Sequence, residues 1–322
     1  MVDFMSVFVW TVFILSLIGN ILALSLMPHY KEANKYNAYI KLLFSQFVMD
    51  LIFAITTFVC RINVIAVSGY LSYFLHFFKD DGLSYEFYDA CVCFYIITVY
   101  ANLSFTTTNV VSRYLCVTNI IDFTHKHFVI GILLTIMFPI GWTTVYFFAF
   151  DRTIPRNFVY LENLKANDID PEFNINSFGV GVEFFRLTSM VLILGYVVYI
   201  SINCLIIFIA YRKLSIYLKE MTGHLSTETR KMNNEFMRIF IIQGIAPLFC
   251  SGIPLFIYIL SIFTDAAWKK DGGTYVLISV GMTPFINSFL FLIILSKNRA
   301  LFKRRLRRIG IDIDSRVVTL TT

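Results

Sequence analysis

Charge is what this sequence has least of. Only 15% of its 322 residues are Asp, Glu, Lys or Arg, where a soluble domain carries about 25%. Histidine is also sparse. His29, His76, His125, His127 and His224 fall in connecting segments or at their edges, so no His/Asp/Glu constellation for intramembrane catalysis can be assembled. A His125-Lys126-His127 metal site is conceivable, but solvated loop residues explain it more simply. Six cysteines lie in or beside apolar runs, and none is grouped with histidines at metal-ligand spacing. Cys91 and Cys93 could form a disulfide or redox pair, but the plainer reading is small apolar residues lining helices. No cofactor is expected. The connections between apolar runs are too short for a separate soluble domain, and no internal repeat is visible. A net charge of +6 is weak grounds for nucleic-acid binding, and none is expected.

Apolar residues fill the space that charge leaves. They make up 57% of the chain, with 34 Phe and 18 Tyr. A soluble core of this size could not hide them, whereas a bilayer accepts them. Seven runs are long enough to cross a hydrocarbon core of about 30 Å at about 1.5 Å per residue. They lie near 5–27, 38–61, 89–117, 128–150, 183–210, 237–263 and 274–295. The first begins close to Met1, is too long for a signal-peptide core and follows Asp3 rather than basic residues, so it is expected to serve as an uncleaved span. An all-α bundle of seven transmembrane helices follows, spanning 1–296, with a tail from 297 to 322.

Lys and Arg fix the orientation. The segments 28–41, 118–127, 211–235 and the tail carry 17 of them, and the opposite set carries 6. The first set is therefore expected in the cytoplasm and the N-terminus outside, in the plasma membrane. After the last span, Phe302, Leu306 and Ile309 form a stripe on an otherwise basic segment. A short amphipathic helix on the anionic inner leaflet is expected there; a plain positive-inside stop signal is the alternative.

Polar groups inside spans are expensive and usually functional. Asp50 sits mid-way along the second span, with Asn20 and Asn287 as partners at similar depth. A small hydrated hub would result, whether it switches or only glues helices together. Arg113 closes the third span and reads equally as a functional cation or a snorkelling boundary residue. Glu183 and Arg186, at i and i+3, either pair with each other or meet a ligand, and Arg61 is ambiguous in the same way. Pro247 and Pro254 interrupt the sixth span and Pro284 the seventh, where kinks can act as hinges.

Together these features resemble the rhodopsin-like G-protein-coupled receptors over nearly the whole chain. Gly19-Asn20, Asp50-Leu51, Ser112-Arg113-Tyr114, Trp142 and Thr283-Pro284-Phe285-Ile286-Asn287 stand in the order of that family's helix motifs. Departures are evident. Ser112 replaces the acid that restrains the arginine, Gln243-Gly244-Ile245-Ala246-Pro247 replaces the sixth-helix toggle, and the 151–178 segment has no cysteine for the usual disulfide. The sequon Asn102-Leu103-Ser104 is buried in a span and should be inert. With abundant Phe and Ser-Arg-Tyr-Leu-Cys-Val, the pattern is similar to the nematode serpentine chemoreceptors, with the Srg superfamily and its Srv class the nearest in appearance.

That resemblance implies a receptor in a sensory cilium, responding to a small-molecule chemical cue and activating a heterotrimeric G protein. Tyr95, Val99, Tyr100, Phe184, Arg186, Phe256, Tyr258 and Tyr275 would face the ligand in the outer half of the bundle. Arg113, Tyr114, Asn20, Asp50, Pro247, Pro284 and Asn287 would serve coupling and switching. With no acid near Tyr95, an amine held there by a salt bridge is not expected. A seven-span ligand-gated channel subunit is opposed by the loop charges. A carrier using Asp50 lacks a second acidic group along a path.

Overall fold

The computed structural model describes residues 4–30, 37–67, 69–75, 85–154, 157–166, 179–221, 226–266 and 269–308. Among these, seven helices are long and apolar enough to cross a membrane: Ser6–Ser25, Ala38–Cys60, Glu86–Val117, His125–Ala149, Leu187–Glu220, Asn233–Phe263 and Gly272–Ile294. The first two are α1 (Phe4–Ser25) and α2 (Asn37–Cys60). Next come α3 (Tyr85–Val117), α4 (His125–Ala149) and α6 (Leu187–Glu220). Their outward faces are apolar, Phe148 being 80% exposed and Leu187 78%, as suits surfaces meant for lipid.

The sixth span is two helices. α7 (Thr227–Pro247) passes through a π-turn at Leu248–Gly252 into α8 (Ile253–Phe263). The seventh is α9 (Lys269–Val280) and α10 (Thr283–Ile294). Pro254 and Pro284 both stand in the first turn of the helix that follows the break, where a missing N–H costs nothing. Only Pro247 ends a helix, immediately before the π-turn.

Helix α3 is the axis of the bundle, packing on α2, α4, α6 and α7. Two close approaches set the geometry of α10. The missing Cβ of Gly19 leaves room for Ser288 of α10, and Asn20 next to it donates to the Pro284 carbonyl at 3.2 Å. Trp142 uses the space left by Gly195 to seat α4 against α6.

Two features depart from the sequence-based expectation. The fifth span does not begin at 183. Glu183 ends a strand, Arg186 is the residue before α6, and α6 then runs past 210 to Glu220, so part of the 211–235 connection is helix. The end of the bundle remote from Arg113, the outer end in the expected orientation, also carries a three-stranded antiparallel sheet of β1 (Ile62–Val67), β2 (Tyr70–Leu75) and β3 (Gly179–Glu183), in that order. A short helix, α5 (Phe158–Ala166), packs on it through the fully buried Tyr160.

The last helix, α11 (Ser296–Arg308), follows α10 directly. Arg305 donates to the Ser25 hydroxyl and carbonyl at 2.7 and 2.9 Å, and Lys297 to the His29 carbonyl at 3.1 Å, clamping it to the inner end of α1. Leu301 joins the inner apolar cluster. Of the expected stripe, Phe302 is half-buried, while Ile309 and the tail beyond 308 lie outside the described residues.

Candidate functional site

The outer half holds a cavity of about 140 Å³ under the sheet. Its roof is Ile62, Val64, Leu71 and Tyr73, and its walls come from α3, α4, α6, α8 and α9. Six lining residues are tyrosines: Tyr73, Tyr95, Tyr100, Tyr146, Tyr196 and Tyr258; the rest are aliphatic side chains and Gly273. No charged residue lines it. The phenol groups have unequal commitments. Tyr100 and Tyr146 hydroxyls meet at 3.4 Å, and Tyr196 pairs with Ser251 at 2.7 Å. The Tyr95 hydroxyl is buried and has no hydrogen-bond partner among the described residues. A polar atom sealed in an apolar cavity is costly unless something bonds it.

The roof is fastened on three sides without sulfur. The Tyr88 hydroxyl of α3 accepts from Leu75 N at 2.6 Å and donates to the Tyr73 carbonyl at 3.0 Å. Arg152 forms an ion pair with the buried Asp89 of α3, its Nε donating at 2.8 Å. Asp151 pairs with Gly181 through two backbone hydrogen bonds of 2.8 and 2.9 Å. On the far side Val64 N donates to Thr274 Oγ1 at 2.9 Å, and Gly273 admits β1, since a Cβ there would stand 2.6 Å from Val64 Cγ1. All six cysteines are free.

The inner half is polar and packed. Asp50 accepts from Asn287 at 3.2 and 3.3 Å and from Asn102 of α3. Gln243 of α7 reaches the Asn287 carbonyl at 3.4 Å, and Asn109 and Gln46 pair at 2.6 Å one turn further in. Asn20 does not bond Asp50; it ties α1 to α10 through Ser16 and Pro284 carbonyls. Asn102, in the sequon, is committed to Asp50.

Arg113 lies at the inner end of α3, 9% exposed. With Ser112 where an acid would stand, Asn233 of α7 holds it instead, accepting from Arg113 Nη2 at 2.9 Å. The guanidinium also lies over Phe236 at 4.7 Å and Tyr39 at 5.4 Å. Tyr114 packs against the apolar cluster around these rings. The restraint therefore joins α3 to α7 through a neutral amide and two aromatic faces.

Of the eight expected ligand-facing residues, Tyr95, Val99, Tyr100 and Tyr258 line the cavity. The other four do not. Phe256 and Tyr275 point outward at 58% and 54% exposure. Phe184 is buried against Phe185 and Phe263 beside the sheet, and Arg186 is exposed at the start of α6. The outward turn of Phe256 follows from the π-turn, which inserts an extra residue and rotates everything after it relative to a regular helix. Leu255 takes its place at the cavity. Tyr73, Tyr146, Tyr196 and Asn233 are not singled out by the sequence, and Asn102 stands out there only as part of an inert sequon. The 18 Tyr of the chain are a signal in number only, not in position. No three His, Cys, Asp or Glu converge among the described residues. His127 caps α4 by accepting from Thr124 N at 3.1 Å, and His125 stacks on Phe128.

Comparison with known proteins bears on this arrangement at two levels. The fold resembles that of squid rhodopsin, with a TM-score of 0.63 at 13% identity over 96% of this chain and 87% of the other. No curated protein matches. The family model that matches, over residues 5–303, is the serpentine type seven-transmembrane G-protein-coupled chemoreceptor Str. Neither the Srg superfamily nor its Srv class, suggested by the sequence, is the class this model describes. A model spanning nearly the whole chain, on a rhodopsin-like bundle with these motifs in place, makes this protein a member of the Str family of serpentine G-protein-coupled chemoreceptors.

Proposed function

We propose that this receptor binds a small, neutral molecule in the outer cavity and relays its binding to a heterotrimeric G protein at the end of the bundle that carries Arg113. The observation behind this reading is the uncharged, tyrosine-lined cavity in which the Tyr95 hydroxyl has no partner among the described residues. A dry engineered cavity of about 150 Å³ holds benzene, which sets the size of the ligand. Aliphatic walls supply apolar contact, and the Tyr95 hydroxyl supplies one directed hydrogen bond to a polar atom of the ligand. An amine finds no counter-ion there, because Asp89, the acid above the cavity on α3, is committed to Arg152.

Transmission follows from which helices the ligand touches. Leu255, Tyr258 and Ile259 belong to α8, joined to α7 through the π-turn. A ligand that prefers a different seating of α8 rotates α7 about that turn and draws Asn233 and Phe236 away from Arg113. It shifts the equilibrium only by its differential affinity for the two states. The receptor sits in the plasma membrane of a sensory cilium with its N-terminus outside, consistent with the basic residues concentrated at the Arg113 end.

The test is a size-matched panel of neutral molecules, amines and carboxylates applied to cells expressing the receptor, read through G-protein activation. Responses to neutral compounds, lost in Arg113→Ala at equal surface expression, support the reading. Responses confined to charged compounds, or retained in Arg113→Ala, overturn it. Antibody access to an N-terminal epitope in intact cells tests the orientation.

A further inference from the structure

A second, larger cavity of about 330 Å³ opens between α6 and α7, at the same end of the bundle as Arg113. Two stripes line it. Tyr211, Ser215, Leu218 and Lys219 come from α6, and Arg230, Asn233, Asn234, Met237, Arg238 and Ile241 from α7. Both follow helical spacing, so each helix turns one continuous face to the gap. The chemistry is one-sided. Three cations, two side-chain amides and two hydroxyls face inward, and no carboxylate is among the lining residues. Glu235 of α7 is occupied elsewhere: its Oε2 accepts from the Ser296 N–H and hydroxyl, both at 2.9 Å. Met237, Leu218 and Ile241 give the same cavity an apolar edge.

Like charges on two facing helices repel, and their donors, exposed to solvent, are open to a stronger acceptor than water. A multivalent oxyanion answers both at once, because its oxygens accept from Lys and Arg in charge-assisted hydrogen bonds. The apolar edge suits an acyl chain beside the headgroup. We infer that the α6–α7 cavity is a binding site for a phosphorylated headgroup, supplied by an anionic lipid of the adjoining leaflet. The leaflet assignment rests on the orientation proposed above; the anion site itself does not.

The site has a mechanical consequence, because Asn233 belongs both to this cavity and to the restraint on Arg113. A phosphate bridging Lys219 on α6 to Arg230 and Arg238 on α7 ties α7 to its neighbour and opposes the rotation of α7 that would draw Asn233 away from Arg113. Occupancy therefore favours the restrained state and lowers basal signalling.

The experiment measures lipid retention on the purified full-length receptor by native mass spectrometry, with an inositol bisphosphate phospholipid as probe in a phosphatidylcholine background. Neither ligand nor G protein is needed, so failure here is distinct from failure of the proposed function. Each direct charge-assisted contact to the phosphate is worth at least about fivefold in binding, so K219Q/R230Q/R238Q should weaken retention on the order of a hundredfold. A control triple on α11, K303Q/R304Q/R307Q, should retain most of it. Equal retention in the cavity triple and the wild type overturns the site, as does a loss confined to the α11 triple. The water-soluble inositol phosphate with the same charge separates the sources. Tight binding of that anion, lost in the cavity triple, keeps the phosphate site but overturns the lipid as its source. If the triple is poorly folded, judged by its melting in phosphatidylcholine alone, Arg238→Gln replaces it with about a fivefold loss expected.

Discussion

The two halves of the bundle solve opposite problems. The outer half is built from phenol rings and aliphatic side chains around empty space, and one of its buried hydroxyls is left without a partner. The inner half is built from Asp50, Asn102, Asn287, Gln46, Asn109 and Gln243, joined across α2, α3, α7 and α10. Empty space beside an unpartnered Tyr95 hydroxyl in the outer half leaves something for a ligand to fill. The close-packed amide network of the inner half holds one helix arrangement, even though the side-chain oxygens of Asn109 and Asn287 have no partner among the described residues. The difference between the halves is thus a difference between recognition and restraint.

That contrast can be broken most forcefully from inside. Asp50→Leu strands the Asn102 and Asn287 amides in an apolar site, and each buried donor left unpaired costs about 1–3 kcal/mol. Thermal melting of the purified receptor should fall by several degrees, far more than for any substitution at the cavity wall. The roof comes next. Gly273→Val places a side chain where β1 packs, and overpacking of this kind costs about 1–3 kcal/mol. Ligand response should be lost while basal signalling, read in the same cells, is kept.

Asn233→Leu removes the acceptor that restrains Arg113 without touching the outer half. Loss of one hydrogen bond to a charged group, about 1.5–3 kcal/mol, should raise basal G-protein activation more than tenfold and, by linkage, raise ligand potency as well. Tyr95→Phe sharpens the comparison from the other side. Its hydroxyl has no partner to lose, so melting should hold or rise, while ligand potency falls about fivefold, the worth of one neutral hydrogen bond.

The smallest effect concerns acid. Hydrogen bonds from the Thr153 hydroxyl and N–H hold the Asp151 carboxyl below the usual aspartate range. A depressed carboxylate contributes stability that is complete above its unfolded value and lost as pH falls through the lower folded one. Asp151→Asn should therefore melt below wild type from neutral pH down to about pH 4 and converge with it only in stronger acid, below the folded value. At neutral pH it should lose a few tenths of a kcal/mol, as befits an exposed group.

Much of the inner half was legible in the sequence because its signal is local. A carboxylate inside an apolar run, a Gly-Asn pair and a proline ahead of Asn287 are each visible within a few residues, and helical spacing carries them to similar depth. The restraint on Arg113 was not legible. Asn233 is 120 positions away, in a polar stretch that reads as solvated connection until α7 is seen to continue through it. The sheet escaped for a different reason. Ile62–Val67 is apolar without alternation, so it looks like an extension of α2 rather than a strand. Phe256 illustrates the third obstacle: a π-turn shifts helical phase by one residue, and nothing in the run Leu248–Gly252 announces it.

The fastening of the roof reaches beyond ligand binding into how the receptor is made and handled. Tyr88, the Asp89–Arg152 pair, the Asp151–Gly181 bridge and Thr274 are all bonds that form as soon as the segments meet. No thiol oxidase has to act and no mispaired cystine has to be undone before the sheet-bearing surface is complete. Dithiothreitol, which disarms receptors whose roof is stapled through cystine, should leave this one responsive.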